Sequence, residues 1–110
     1  MDIIEYIKSL GWSFTEHWNN RAIYELNEGL VFALFEHQGN IGIVSDGNFQ
    51  YYNLKEDDIS RFTEILKERM KMLQNPKDYT IYQLNNNNNK LMSLFDEFAL
   101  RKLEEEEEKL

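Results

Sequence analysis

Carboxylates are the reactive side chains this sequence supplies most freely, with twenty Asp and Glu residues against twelve Lys and Arg. Two carboxyl groups held at different pKa values in a cleft can act as general acid and base. The tightest local group, Glu56-Asp57-Asp58, stands instead where acidic residues favour the first turn of a helix. Glu25 and Glu36 can be neighbours across two strands. His17 and His37 would need to converge with a third ligand, such as Glu16 or Glu36, to hold a metal. Neither a helical i, i+4 histidine pair nor any cysteine supports such a site, so both read as exposed strand histidines. Gly39-x-x-Gly42 lacks the lysine and the Ser/Thr of a phosphate-binding loop and does not precede a helix. Its glycines fit a tight turn and a strand irregularity. Lys67, Arg69 and Lys71 are interleaved with Glu64 and Glu68, the pattern of a solvated helix face rather than a phosphate-neutralising patch. The expectation is a protein that is not an enzyme and that carries no metal and no cofactor.

Charge distribution points elsewhere. Between Met1 and Leu54 only Lys8 and Arg21 stand against Asp2, Glu5, Glu16, Glu25, Glu28, Glu36 and Asp46, a net charge of −5. A sheet with so little neutralisation repels nucleic acid and attracts basic protein surfaces. Strand carboxylates a few ångströms apart can imitate a row of phosphates and occupy a basic groove. Aromatic residues add anchoring area, because Trp and Tyr bury a large apolar surface while keeping a polar handle. Trp12, Trp18, Tyr51, Tyr52, Tyr79 and Tyr82 are more than one small sheet face can hide. The candidate partner-binding residues are therefore Glu16, Glu25, Glu28, Glu36 and Asp46, with Trp18, Tyr51 and Tyr52. The expected partner is a protein with a basic surface, without direct contact to nucleic acid or membrane, and a homodimer is compatible with the pattern.

The elements that must position these residues follow from periodicity. Asp2 to Leu10 has Ile3, Ile4, Ile7 and Leu10 at helical spacing, with Gly11 as a stop. From Trp12 the period becomes two. Trp12, Phe14 and Trp18 then share one strand face, and Asn19-Asn20 makes a turn. A second strand spans Arg21 to Leu26 and a third Leu30 to His37. A three-residue loop, Asn27-Glu28-Gly29, joins them with Gly29 left-handed. The third strand is apolar on both faces and should lie centrally. Gln38-Gly39-Asn40 leads to a fourth strand, Ile41 to Ser45, across a loop of two or four residues. Asp46-Gly47 then starts a hairpin into a fifth, Phe49 to Asn53. Asn53 and Glu56 suggest a capping box for a helix ending near Leu73, with Ile59, Phe62, Leu66, Met70 and Leu73 on its apolar face. Tyr79 to Leu84 has the alternation of a short strand, and Asn85 to Asn89 the composition of a loop and cap. A last helix runs from Lys90 to about Glu107, presenting Leu91, Leu94, Phe95 and Phe98. The predicted fold is α+β: an antiparallel four- to five-stranded sheet packed by an N-terminal helix and two C-terminal helices.

A length of 110 residues suits a single α+β domain over 1–110, with an acidic helical tail over about 104–110. Zero cysteines exclude disulfides and thiol chemistry and suit a reducing compartment. No signal peptide or membrane span is legible, so the expected location is cytoplasmic, a host cytoplasm if the protein is phage-encoded. In size, acidity and undecorated fold the chain is similar to phage-encoded antagonists of bacterial defence, including anti-CRISPR proteins. That resemblance implies an inhibitor that blocks a basic nucleic-acid-binding surface. The alternative is an escort protein masking a cognate partner: a secretion chaperone, immunity protein or antitoxin. A type III secretion chaperone would share the order helix, sheet, helix.

Overall fold

In the computed structural model, which describes residues 2–108, Asp2 caps helix α1 (Ile3–Ser9) by accepting a 2.9 Å hydrogen bond from the Glu5 N–H. Five antiparallel strands follow in sequential order: β1 (Ser13–Trp18), β2 (Arg21–Glu25), β3 (Phe32–His37), β4 (Asn40–Ser45) and β5 (Asn48–Gln50). Helix α2 (Glu56–Gln74), a 3-10 turn (Pro76–Asp78) and helix α3 (Ile81–Glu108) complete an α+β fold. Contacts divide the chain into two units, Met1–Ser60 and Arg61–Leu110.

Within the first unit, three two-residue loops set the register. Asn19-Asn20, Gln38-Gly39 and Asp46-Gly47 all have positive φ at both positions, the backbone of type I′ hairpins. The β3–β4 loop is thus the two-residue option. The β2–β3 connection departs from expectation. Tyr24 pairs with Leu34 and Ala22 with Glu36, two residues beyond the register a three-residue loop would give. Gly29 is not among the residues of positive φ. Asn27 builds the turn instead, its side chain accepting from the Gly29 N–H and its carbonyl from the Leu30 N–H. Because the slip is even, each side chain keeps its face. Glu25 and Glu36, however, are not cross-strand partners and lie on opposite faces.

A bulge at Thr15 reverses the expected single apolar face of β1. Phe14 pairs with Tyr24, but Glu16 pairs with Ile23 and Trp18 with Arg21. Phe14 and His17 therefore join the Tyr24 face, while Glu16 and Trp18 join the Ile23 face. Trp12, expected on that strand, is buried ahead of it.

Both sheet faces are covered around β3, which is central: Leu34 is buried on one side and Phe35 on the other. The Leu34 face also buries Ala22, Tyr24, Ile41 and Ile43. Burial, then the nearby carboxylates of Glu36 and Asp2, push the Tyr24 phenol above its ordinary value of 10.0. Burial does the same to Tyr52. The folded state therefore holds these protons more tightly than the unfolded chain. Their stabilising contribution is complete below pH 10 and is lost as pH rises through the folded-state values. Stability should fall with rising pH in that alkaline window, and the fall should be shallower in Tyr24→Phe/Tyr52→Phe. Urea titrations at stepped pH check this; an unchanged slope in the double variant would contradict it.

β5 is shorter than its predicted span to Asn53. After Gln50 the chain bends in a tight turn closed by Tyr52 N–H to the Gln50 carbonyl, and Asn53 takes φ +53°. Leu54 then rejoins the edge by donating to the Ile41 carbonyl at 2.8 Å. Gly42 makes the bend possible: a Cβ there would lie 2.4 Å from the Gln50 carbonyl oxygen. The predicted Asn53–Glu56 capping box is not the cap of α2. Lys55 holds that place, its carbonyl accepting from the Ile59 N–H and its own N–H donating to Asp58 Oδ2.

In the second unit α2 and α3 run antiparallel. Arg61 pairs with Glu97, Lys90 lies 3.5 Å from Glu68, and the Phe62 and Phe95 rings are 6.0 Å apart. Phe62 and Leu66 are buried as expected, but Leu73 is exposed and Met72 is buried in its place. Two expectations fail here together. Tyr79–Leu84 is not a strand, and Asn85–Asn89 is not a loop, since both run into α3. The helix is capped by Thr80, whose hydroxyl accepts from the Gln83 N–H while Gln83 Oε1 accepts from the Thr80 N–H. This reciprocal pair is a capping box, and it outweighs the local strand alternation. The predicted acidic tail is helical through Glu108; its last two residues, 109 and 110, lie outside the described residues.

Candidate protein-binding seam of the curled sheet

β1 and β5 are opposite edges of the sheet, which in a flat sheet would stand about 19 Å apart. Here the Trp18 and Phe49 ring centroids are only 5.2 Å apart. Trp18 Cη2 also lies 3.3 Å from where a Cβ on Gly47 would stand. The sheet is therefore curled until its diagonal corners touch, with the Ile23 face inside. That interior holds Ile23, Phe35 and Val44, packed by Ala33 and Phe49. Phe35 stacks edge-on against both Phe49 and Tyr51 at 5.0 Å.

Arg21 closes the seam. Its guanidinium sits 4.5 Å from the Phe49 centroid and donates from Nε to the Tyr51 hydroxyl at 2.6 Å. Nη1 donates to the Asn19 carbonyl, and Nη2 also reaches the Tyr51 hydroxyl. A cation so placed is held by ring faces and fixed dipoles rather than by a carboxylate. Trp18 and Tyr51 remain about two-fifths exposed at 39% and 40%. They form an aromatic ledge at the seam.

The candidate residues divide around this ledge. Trp18 and Tyr51 are brought together, Glu16 is two residues before Trp18 on the same face, and exposed Asp46 adjoins Gly47. Glu25 points to the same face from β2. Glu28 lies in the β2–β3 loop. Glu36 is on the opposite face, where its carboxylate accepts from the Gly39 N–H at 2.9 Å and holds the β3–β4 turn. Tyr52 is half-buried beyond the β5 bend. The structure thus assembles an aromatic centre flanked by Glu16 and Asp46, not one continuous row of five acids.

Sequence reasoning missed Arg21 and Phe49 as members of this cluster. Arg21 faces Trp18 across the first hairpin, but its contacts with Phe49 and Tyr51, and that of Phe49 with Trp18, arise only from the curl. It also missed Asn87, which is buried in the second unit. Its amide donates to the Ile65 carbonyl at 3.1 Å, and its Oδ1 accepts from Arg69 Nε at 2.9 Å. One signal was available: the stripe Leu91, Leu94, Phe98, continued backwards at helical spacing, reaches Asn87. Arg69 is drawn out of the basic group on α2 by this bond and another to Asn88.

His17 packs against Phe14, and His37 lies 3.3 Å from the Asn20 carbonyl. Among the described residues no three His, Cys, Asp or Glu side chains are grouped to hold a metal ion. No helix among them is long and apolar enough to cross a membrane. Against known protein families, curated proteins and solved structures, nothing matches this chain.

Proposed function

We propose that the sheet unit is a non-enzymatic binding module that docks on a basic protein surface through the Trp18–Tyr51 ledge and the carboxylates beside it. The occluded surface is one that handles nucleic acid, as expected for an inhibitor in the manner of phage-encoded antagonists of bacterial defence. Charge segregation carries this reading. Met1–Ser60 has three basic residues against ten acidic ones, so it holds −7 of the chain's −8. One of those three cations, Arg21, is turned into the aromatic cluster. Charge complementarity would speed encounter and fix orientation, while the two half-exposed rings would supply the buried anchors.

Capture from nuclease-treated host lysate at low and high salt identifies the partner, and competition with that partner's nucleic acid tests the blockade. With the purified partner, Glu16→Lys/Asp46→Lys is expected to weaken affinity at least about tenfold while leaving the circular dichroism spectrum intact. Glu36 is unsuited to that test because its reversal would also disturb a turn. Unchanged affinity in the double variant, or binding indifferent to ionic strength, overturns the proposal. A salt-resistant toxin or secreted protein as sole partner would identify an escort protein instead.

A further inference from the structure

We propose that α3 is the contact surface of an antiparallel homodimer, in which Ile81, Met92 and Leu103 pack on the same three residues of a second copy. These side chains are 77%, 58% and 57% exposed, whereas α3 buries Asn87, Leu91, Leu94 and Phe98. The exposed three recur every eleven residues. Eleven residues make three helical turns plus about 20°, so the three side chains follow one gently turning line over about 33 Å. Equal spacing also makes the line symmetric about Met92. A second helix laid antiparallel sets Ile81 against Leu103, and Met92 against its own counterpart. That is the self-complementary pattern a two-fold interface requires.

Charges select the same partner and the same direction. Glu104–Glu108 occupy the C-terminal end of α3, where the helix dipole disfavours anions. The first turn, where anions are favoured, contains no acidic residue, and the charges of Lys77 and Asp78 just ahead of it cancel, so the helix dipole is what the glutamates meet there. An antiparallel copy brings each run of glutamates to the other's N-terminal end. A parallel copy would set the two runs side by side. Between the apolar positions, the same symmetry sets Asn88 opposite Asp96 and Asn85 opposite Ala99.

The absence of cysteine makes the geometry directly testable in the full-length chain. Sedimentation equilibrium at about 100 µM should find a dimer, and about 1 M NaCl should weaken it by about tenfold as the Debye length falls to about 3 Å. Met92→Glu should weaken self-association more than tenfold with helicity unchanged, because the two-fold axis brings both new charges together. Under mild oxidation Met92→Cys should form a disulfide-linked dimer. Ile81→Cys and Leu103→Cys should cross-link when mixed but not separately, and Leu100→Cys, on another side of α3, should not cross-link. A monomeric wild type at that concentration overturns the proposal. So does a dimer that survives Met92→Glu, or Ile81→Cys linking to itself.

Discussion

Gly42→Ala is expected to cost about 3 kcal/mol of stability, read as a lowered urea midpoint. The added Cβ would stand 2.4 Å from the Gln50 carbonyl oxygen and 2.6 Å from Cε1 and Cζ of Phe35. Neither neighbour can yield cheaply. The carbonyl belongs to backbone at the point where β5 bends, and the Phe35 ring is wedged between Phe49 and Tyr51. Relief would require uncurling the sheet, separating Trp18 from Phe49 and exposing Ile23 and Val44. Phe35→Leu should recover part of the loss, with a coupling of about 1 kcal/mol in a double-mutant cycle. The remainder should persist because the carbonyl stays in place. A loss under about 0.5 kcal/mol for Gly42→Ala alone would mean that β5 does not fold over this position.

Asn87→Ala is expected to lose about 2 kcal/mol, while Asn86→Ala and Asn89→Ala stay within about 0.5 kcal/mol of wild type. The three residues are chemically identical and nearly adjacent, but only Asn87 is buried. Its side chain ties α3 to the backbone of α2 at Ile65 and positions the Arg69 guanidinium. Truncation strands a partly buried Arg Nε and removes two bonds that set the helix–helix register. Asn87→Asp should retain the bond to Arg69 and lose the one to Ile65, and so fall between wild type and Ala. Equal losses at positions 86, 87 and 89 would reduce the effect to helix propensity and remove the bridge as its cause.

Much of the architecture is legible in the residues themselves, for local reasons. Asp46-Gly47 and Asn19-Asn20 specify tight hairpins because their backbones tolerate positive φ. The apolar faces of β3 mark it as central. Ile3, Ile4, Ile7 and Leu10 at helical spacing ahead of Gly11 make a short helix recognisable. Errors fall where two local signals compete. Tyr79–Leu84 alternates like a strand, but Thr80 and Gln83 cap a helix there. The Asn85–Asn89 run has turn composition, but helix pairing can use a buried amide that composition alone does not suggest.

The candidate site was legible in part. Residue types identified Trp18, Tyr51 and the surrounding acids, because aromatics and unneutralised carboxylates carry their chemistry wherever they are placed. Which of them meet depends on two features of sheet geometry. The bulge at Thr15 moves Trp18 to the Ile23 face, and the curl carries it across to Phe49, Gly47 and the neighbourhood of Tyr51. Sequence by itself determined strands β1 to β4, the Asn19-Asn20 and Asp46-Gly47 turns, α2, the C-terminal part of α3 and the concentration of negative charge in the first unit, since each depends on neighbouring residues or on simple counts. Tertiary structure alone decided the seam at Arg21, the pairing partners of Glu25 and Glu36 and the bridge from Asn87 to Ile65 and Arg69. Each of these depends on contacts between residues distant in the chain, and local periodicity holds no information about such distances.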